Sequence, residues 1–296
     1  MIKNNQILHE LQTFRDMARW GASQFNAAGL HFGHGNTNAW DEALYLIRHV
    51  LHLSPSEDMH VADAQLLLSE REAIANLFER RIRERKPAPY LTQQAWFSGL
   101  PFYVDERVII PRSPMTELIE QAFSPWVDQD PKMILDLCTG SGCIAVVCAL
   151  TFPDAHIDAV DISQDALAVA KKNIAHYQLD HRVQLIESDL FANMPQQTYS
   201  VIICNPPYVD AKEMSALPPE YQHEPTLALA GGDDGLQIVQ RILEQAANYL
   251  TPDGILMVEV GESEQAARAR FSDYPMTWLT FERGGHGVFL LTREQL

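Results

Sequence analysis

The sequence predicts an α/β protein: a mainly parallel, doubly wound sheet with helices on both faces, preceded by a small all-helical domain and a β-hairpin linker. Three observations predict it. From about residue 113 onward, strand-like apolar runs alternate with helix-like runs. A glycine-rich turn follows the first of those strands. The part of the chain before the linker shows only helical periodicity. A chain of 296 residues suits two domains, and the expected division is 1–88 (helical), 89–112 (linker) and 113–296 (sheet).

In the first domain, "AWDEALYLIRHVLHL" puts Trp40, Ala43, Leu44, Ile47, Val50 and Leu51 at helical spacing. Ser69 with Glu72 three residues later is a capping-box pattern, and Ile74, Leu77, Phe78 and Ile82 continue it as an apolar stripe. Both stripes are read as core. "ERRIRERK", 79–86, reads as a solvated, cationic helix end that complements the helix dipole, with RNA contact as the alternative. "HFGHG" contains His31 and His34 but no third ligand nearby, so it reads as a loop and not a metal site. Pro87 and Pro89 then break the helical pattern. "AWFSGLPFYVDERVIIP", rich in aromatic and β-branched residues around Gly99, reads as a β-hairpin.

Beyond the linker, "LIEQAF" is helical, "KMILDLC" a strand, "CIAVVCAL" a helix and "HIDAVDI" a strand. "DALAVAKKNIAHYQL" is a helix, "RVQLIESD" a strand, "YSVIICN" a strand, "GLQIVQRILEQAANYL" a helix and "GILMVEV" a strand. "MTWLTFE" and "GVFLLT" flank "RGGHG", where Gly284 and Gly285 permit positive φ. They are expected to pair antiparallel at the sheet edge.

The composition, 46% hydrophobic and 21% charged, is that of a soluble globular protein. No apolar run approaches the roughly 20 residues of a membrane helix, and "MIKNNQILHE" has no apolar signal core; a cytoplasmic protein with no membrane partner is expected. Cys138, Cys143, Cys148 and Cys204 lie in or beside apolar stretches, with no CxxC pair and no zinc spacing. They read as buried free thiols, and no metal is expected. A net charge of −17 repels nucleic-acid phosphates and suits a basic protein partner.

Two motifs carry chemistry. In "DLCTGSGCIA", Gly140, Gly142 and Ala145 have the G-x-G-x-x-A spacing of a nucleotide-binding βα turn. Asp161 ends the next strand, where a carboxylate can accept hydrogen bonds from ribose hydroxyls. Spacing alone does not separate a dinucleotide from S-adenosyl-L-methionine (SAM). The carboxylate of Asp136 beside the turn disfavours a pyrophosphate and welcomes the ammonium group of SAM; bracing the turn is its structural alternative. In "ESDLF", Asp189 can meet an adenine amino group and Leu190 flank the ring, if this is more than a strand-to-loop transition.

The second motif is "NPPY", Asn205 to Tyr208, at the end of an apolar strand. Pro206 and Pro207 fix its shape, and Asn205 before a proline is driven extended. A planar nitrogen, in an amide or an adenine amine, is a poor nucleophile because its lone pair is delocalised. The Asn205 side-chain oxygen and the Pro206 carbonyl can accept its two N–H bonds, and Tyr208 can stack on the flat group. The lone pair then points along a sulfur–methyl axis, so that catalysis is orientation plus electrostatics. The structural alternative is a proline-rich turn with a stacking tyrosine.

With these residues the sequence resembles the SAM-dependent methyltransferases that carry an (N/D)PPY motif, and along its whole length the protein-(glutamine) N-methyltransferases. The resemblance implies a Rossmann-like, seven-stranded class I methyltransferase domain behind a helical substrate-recognition domain. One branch of that group modifies the Gly-Gly-Gln loop of peptide release factors, the other a glutamine of large-subunit ribosomal protein L-three. "FGHGNTNAWDEA", "FYVDERVIIPRSP" and Cys138 resemble the ribosomal branch. Thr116-Glu117 and "GGDDGL", 231–236, resemble the release-factor branch as much; "NPPYVDA" and "HEPTLALA" fit either. The resemblance implies a SAM cradle at Cys138, Thr139, Gly140, Ser141, Gly142 and Asp161, with Asp189 and Leu190 beside the adenine. It implies a glutamine clamp at Asn205 to Tyr208, with Asn205 near SAM too. Arg112 lines the pocket mouth or braces the linker; Glu224 and Pro225 support the active-site loop. The expected partner is ribosomal protein L-three, free or in a ribosome-assembly intermediate. An adenine amino-methyltransferase and a non-catalytic assembly factor are the rivals.

Overall fold

A computed structural model describes residues 5–54 and 58–296; the first four residues of the stretch scanned for a signal lie outside them. The chain divides into two compact units, Met1–Gln94 with Pro218–His223, and Ala95–Leu217 with Glu224–Leu296.

The first unit is helical, with its longer helices at Phe14–Ala27, Ala39–Leu51 and Leu68–Glu84. Thr13 and Asp16 form a reciprocal capping box: the Asp16 N–H donates to Thr13 Oγ1 at 3.1 Å, and the Thr13 N–H to the Asp16 carboxylate at 3.0 Å. Phe14, Met17, Phe25, Leu46, Ile47, Ile74 and Phe78 fill the core. Two local expectations shift. Ser69 does not cap the third of these helices; it begins earlier, because the Glu70 carboxylate accepts the Leu67 N–H at 2.8 Å. The apolar stripe of Ala39–Leu51 is rotated by about one position, so that Leu46 is buried and Trp40 is 42% exposed.

The larger correction concerns Arg81. In place of a solvated charge, its side chain is fully buried, with Nε on Glu42 Oε1 at 2.7 Å and Nη1 facing Glu220 Oε1 at 3.5 Å. Nη2 donates to the His31 carbonyl at 3.0 Å. Glu220 also accepts the His31 N–H at 3.0 Å and pairs with Arg85 at 3.0 Å. These bonds are why Pro218–His223 belongs to the helical unit. His34, 2% exposed, packs on Tyr221 with ring centroids 4.2 Å apart.

The second unit begins with a hairpin of β1 (Gln94–Phe97) and β2 (Leu100–Tyr103). Ser98 and Gly99 both have positive φ, which suits a tight two-residue turn. The seven-stranded sheet contains β3 (Met133–Leu137), β4 (His156–Asp161), β5 (Val183–Glu187), β6 (Tyr199–Cys204), β7 (Leu250–Glu259), β8 (Thr277–Trp278) and β9 (Val288–Thr292). Their order is β5-β4-β3-β6-β7-β9-β8; the first five are parallel and β9 runs antiparallel to both neighbours. Parallel strands buried on both faces read as continuous apolar runs, and "MILDL" and "YSVIIC" do so. Two apolar layers cover the sheet, one built on helix Cys143–Thr151, the other on helix Gln237–Leu243. The strand order reverses at β3/β6, with the register pairing Leu137 with Cys204. Ligand crevices open at such a switch point, beyond the carboxyl ends of the strands.

Candidate active site

Both motifs leave the sheet side by side at this point. After β3, Cys138, Gly140 and Gly142 all adopt left-handed φ (59°, 55° and 77°). Gly142 then caps helix Cys143–Thr151. A Cβ at Gly142 would lie 3.1 Å from the Ala170 Cβ, so close packing and backbone conformation both favour glycine. Gly142→Ala is expected to strain the turn by about 1–2 kcal/mol and to weaken SAM binding about tenfold, measured by titration calorimetry.

Asp161, at the end of β4, holds this turn. Its Oδ2 accepts the Gly140 N–H at 2.9 Å and its Oδ1 the Ser163 N–H at 2.9 Å. Burial pushes its carboxyl above the usual range against those two donors. Asp136 lies beneath the turn, fully buried. Its Oδ2 accepts the Thr139 hydroxyl at 2.6 Å and the Ala145 N–H at 3.1 Å, while Oδ1 takes no hydrogen bond. Burial raises this carboxyl to about 7. Asp136 therefore braces the loop from beneath and does not line the crevice.

The crevice is an open cavity beyond the carboxyl ends of the parallel strands, as expected of a ligand site in such a sheet. Of the residues expected to bind cofactor, Cys138, Gly140, Asp161, Asp189, Leu190 and Asn205 line it. Asp136, Thr139, Ser141 and Gly142 do not; they shape the turn from behind. Asp189 pairs with Arg241 at 2.9 Å. Among the lining residues missed in the sequence are Arg107 and Ile109 of the linker, Ile162, Leu227 and Arg241. Ile162, 50% exposed directly after Asp161, and Leu227, 58% exposed, are large apolar side chains left open at the cavity. The two lining arginines are each neutralised: Arg107 donates to both Asp105 oxygens, at 2.8 and 2.6 Å, and holds that carboxyl down at about 2.

In the NPPY segment, Asn205 and Pro207 line the cavity, whereas Pro206 is buried and Tyr208 lies behind. The Asn205 Nδ2 donates to the Arg112 carbonyl at 3.4 Å. A carbonyl accepts only a donor, so this contact fixes which way the amide points and leaves Oδ1 as an acceptor. Arg112 braces the linker: its Nη1 and Nη2 grip Glu224 at 2.7 and 2.8 Å, and Glu224 also accepts the Ile110 N–H at 2.9 Å. Of the two readings of Arg112, this geometry matches the brace.

A parallel sheet of this order, with a glycine turn at its central strand and NPPY on the adjacent one, defines a class I SAM-dependent methyltransferase. Residues 116–217 match the family described as Methyltransferase small domain. The ribosomal protein uL3 glutamine methyltransferase of Bordetella pertussis is 50% identical over 299 residues, covering 100% of this chain and 99% of its own. That of Neisseria gonorrhoeae is 51% identical, covering 99% and 98%. Among solved structures, the hMettl16 catalytic domain in complex with an RNA hairpin superposes with a TM-score of 0.50 at 15% identity, over 76% of this chain and 81% of that one; this likeness is one of fold. The chain belongs to the family of ribosomal protein uL3 glutamine methyltransferases.

Proposed function

We propose that this chain transfers a methyl group from SAM to the side-chain amide nitrogen of a glutamine in ribosomal protein uL3, yielding N-methylglutamine and S-adenosylhomocysteine. Relatives at 47–51% identity bear that substrate in their names. The observation that carries the chemistry is the fixed amide of Asn205, one residue beyond the Leu137–Cys204 pair and hence beside the glycine turn. SAM supplies an electrophilic methyl group on a sulfonium. The cavity fits it in kind: carboxylates and neutralised arginines at the rim suit a cation, and Ile162, Leu190 and Leu227 offer apolar faces to an adenine. Asp161 and Asp189 are the polar partners for ribose and adenine.

On the substrate side, Asn205 Oδ1 and the Pro206 carbonyl accept the two amide N–H bonds, and Tyr208 supports the planar group. No side chain has to remove a proton before attack; the methylated nitrogen is acidic enough to release its proton to water. The two stretches shared with the release-factor branch have structural tasks here. Glu117 accepts the N–H groups of Glu282 and Arg283 at 3.0 and 3.2 Å. Gly231 lies where any Cβ would fall 2.7 Å from the Tyr208 Cα. Among the described residues no helix is long and apolar enough to cross a membrane, and we place the reaction in the cytoplasm, where a ribosomal protein is made.

Incubation with tritiated SAM and either recombinant uL3 or a peptide release factor tests the assignment. Label is expected on a glutamine of uL3, located by mass spectrometry, with the release factor at least tenfold slower. Label on the release factor alone would move the chain's substrate to the other branch, and label confined to nucleic acid would make it an adenine methyltransferase.

A further inference from the structure

Glu259, the last residue of β7, takes no part in the chemistry outlined so far, yet it is 4% exposed and carries a carboxylate to the back of the NPPY segment. Its Oε1 accepts the Tyr208 hydroxyl at 3.1 Å and its Oε2 the Ser113 hydroxyl at 2.5 Å. Ser113 directly follows Arg112, whose carbonyl orients Asn205. One buried carboxylate thus ties the last residue of the clamp to the linker that sets the first. Other contacts hold the Tyr208 backbone and leave room for its ring, so the hydroxyl tie decides where the ring sits. Its carbonyl accepts the Ser263 hydroxyl at 3.0 Å. Its ring lies on Gly261, where a Cβ would come within 2.7 Å of the ring carbon Cε2.

We propose that Glu259 is a positioning residue for methyl transfer, holding the Tyr208 ring and, through Ser113, the Asn205 carbonyl support in one geometry that accepts the substrate amide. The proposal rests on the function proposed above and deepens it. Burial is the main influence on the Glu259 carboxyl and lifts it to about 7; the Ser113 and Tyr208 hydroxyls, then Arg112 and His286, pull it the other way. Glu262, which lies 3.4 Å from His286, acts on Tyr208. The ionised form accepts both hydroxyls. The protonated form is a weaker acceptor on both oxygens, and so weakens both ties. The raised value means protonation as pH falls through about 7, so substrate capture weakens on that acidic side.

The test combines kinetics with a crystal structure. Glu259→Ala is expected to raise the KM for uL3 and lower kcat together, by about tenfold or more in kcat/KM, with the SAM dissociation constant changed less than about twofold. Tyr208→Phe, which deletes only one hydroxyl, reproduces part of that loss, and the double variant is no worse than Glu259→Ala alone, because the two groups act through one contact. Glu259→Gln, which keeps an acceptor, recovers at least half of the logarithmic loss and flattens the pH profile between about 6 and 8. A crystal structure of Glu259→Ala, read without any substrate, shows the Tyr208 ring displaced. Full additivity in the double variant, SAM affinity falling in step with kcat/KM, or an unmoved ring would each overturn the proposal. A wild-type enzyme inactive on uL3 would overturn the substrate assignment instead, and the ring position still decides the role of Glu259.

Discussion

Replacing Asn205 with alanine is expected to lower kcat by about 10²–10³-fold while leaving SAM affinity within about threefold of wild type. The magnitude follows from what is removed. Asn205 Oδ1 is one of two acceptors on a nitrogen that must approach pyramidal geometry, and deletion of a single preorganised partner of a reacting group costs on that order. The cofactor side is spared because the turn of Cys138–Gly142 is held by hydrogen bonds to Asp161 and Asp136 that do not involve Asn205. Asn205→Asp separates acceptor from support. It keeps an oxygen for the substrate but replaces the Nδ2 donor with a second acceptor facing the Arg112 carbonyl, so its activity should fall between wild type and alanine. Single-turnover rates at saturating SAM, with equilibrium binding measured separately, decide the matter. An alanine variant whose chemical step runs at a near-normal rate would remove Asn205 from the mechanism.

Much of this site can be read along the chain because its parts are local. A glycine turn of three left-handed residues, a carboxylate closing the neighbouring strand and an Asn-Pro-Pro-Tyr corner are each contained within a few residues. Parallel strands buried on both faces advertise themselves as unbroken apolar runs. What escaped reading depends on partners far apart in sequence. "VEVGE" reads as the end of a strand, and nothing near Glu259 signals that its carboxylate meets hydroxyls from Ser113 and Tyr208. Arg112 could equally have faced a ligand until Glu224 was seen to hold it. Asp136 was read as facing the cofactor because it stands next to the turn, but its side chain points beneath it. The shift at Trp40 has a simpler cause: a one-position rotation of a helical stripe is within what apolar spacing can resolve when Leu44, Leu46 and Ile47 crowd both alternatives.

Arg81 shows the same limit at its largest energetic scale. In "ERRIRERK" it is one cation among several at a helix end, and its flanking neighbours behave as expected: Arg80 and Arg83 are exposed and pair with Glu84, interactions worth well under 1 kcal/mol each. Arg81 turns fully inward, onto Glu42 of the helix Ala39–Leu51, with Glu220 at 3.5 Å, while Arg85 reaches Glu220 from a partly exposed position. Arg81→Met should therefore destabilise the helical unit by about 3–5 kcal/mol, the cost of leaving buried carboxylates without their partner. Arg80→Met should change stability by less than about 0.5 kcal/mol. Adding Glu42→Leu to Arg81→Met removes the stranded charge and should recover more than half of the loss, since an apolar replacement of a buried pair is often neutral; Glu220 keeps Arg85 and the His31 N–H. Urea unfolding followed by amide exchange within residues 14–84 measures all three. If Arg81→Met proved as mild as Arg80→Met, the stranded Glu42 charge would have found water, and the tie between Pro218–His223 and the helices would rest on Arg85 and the His31 N–H without Arg81.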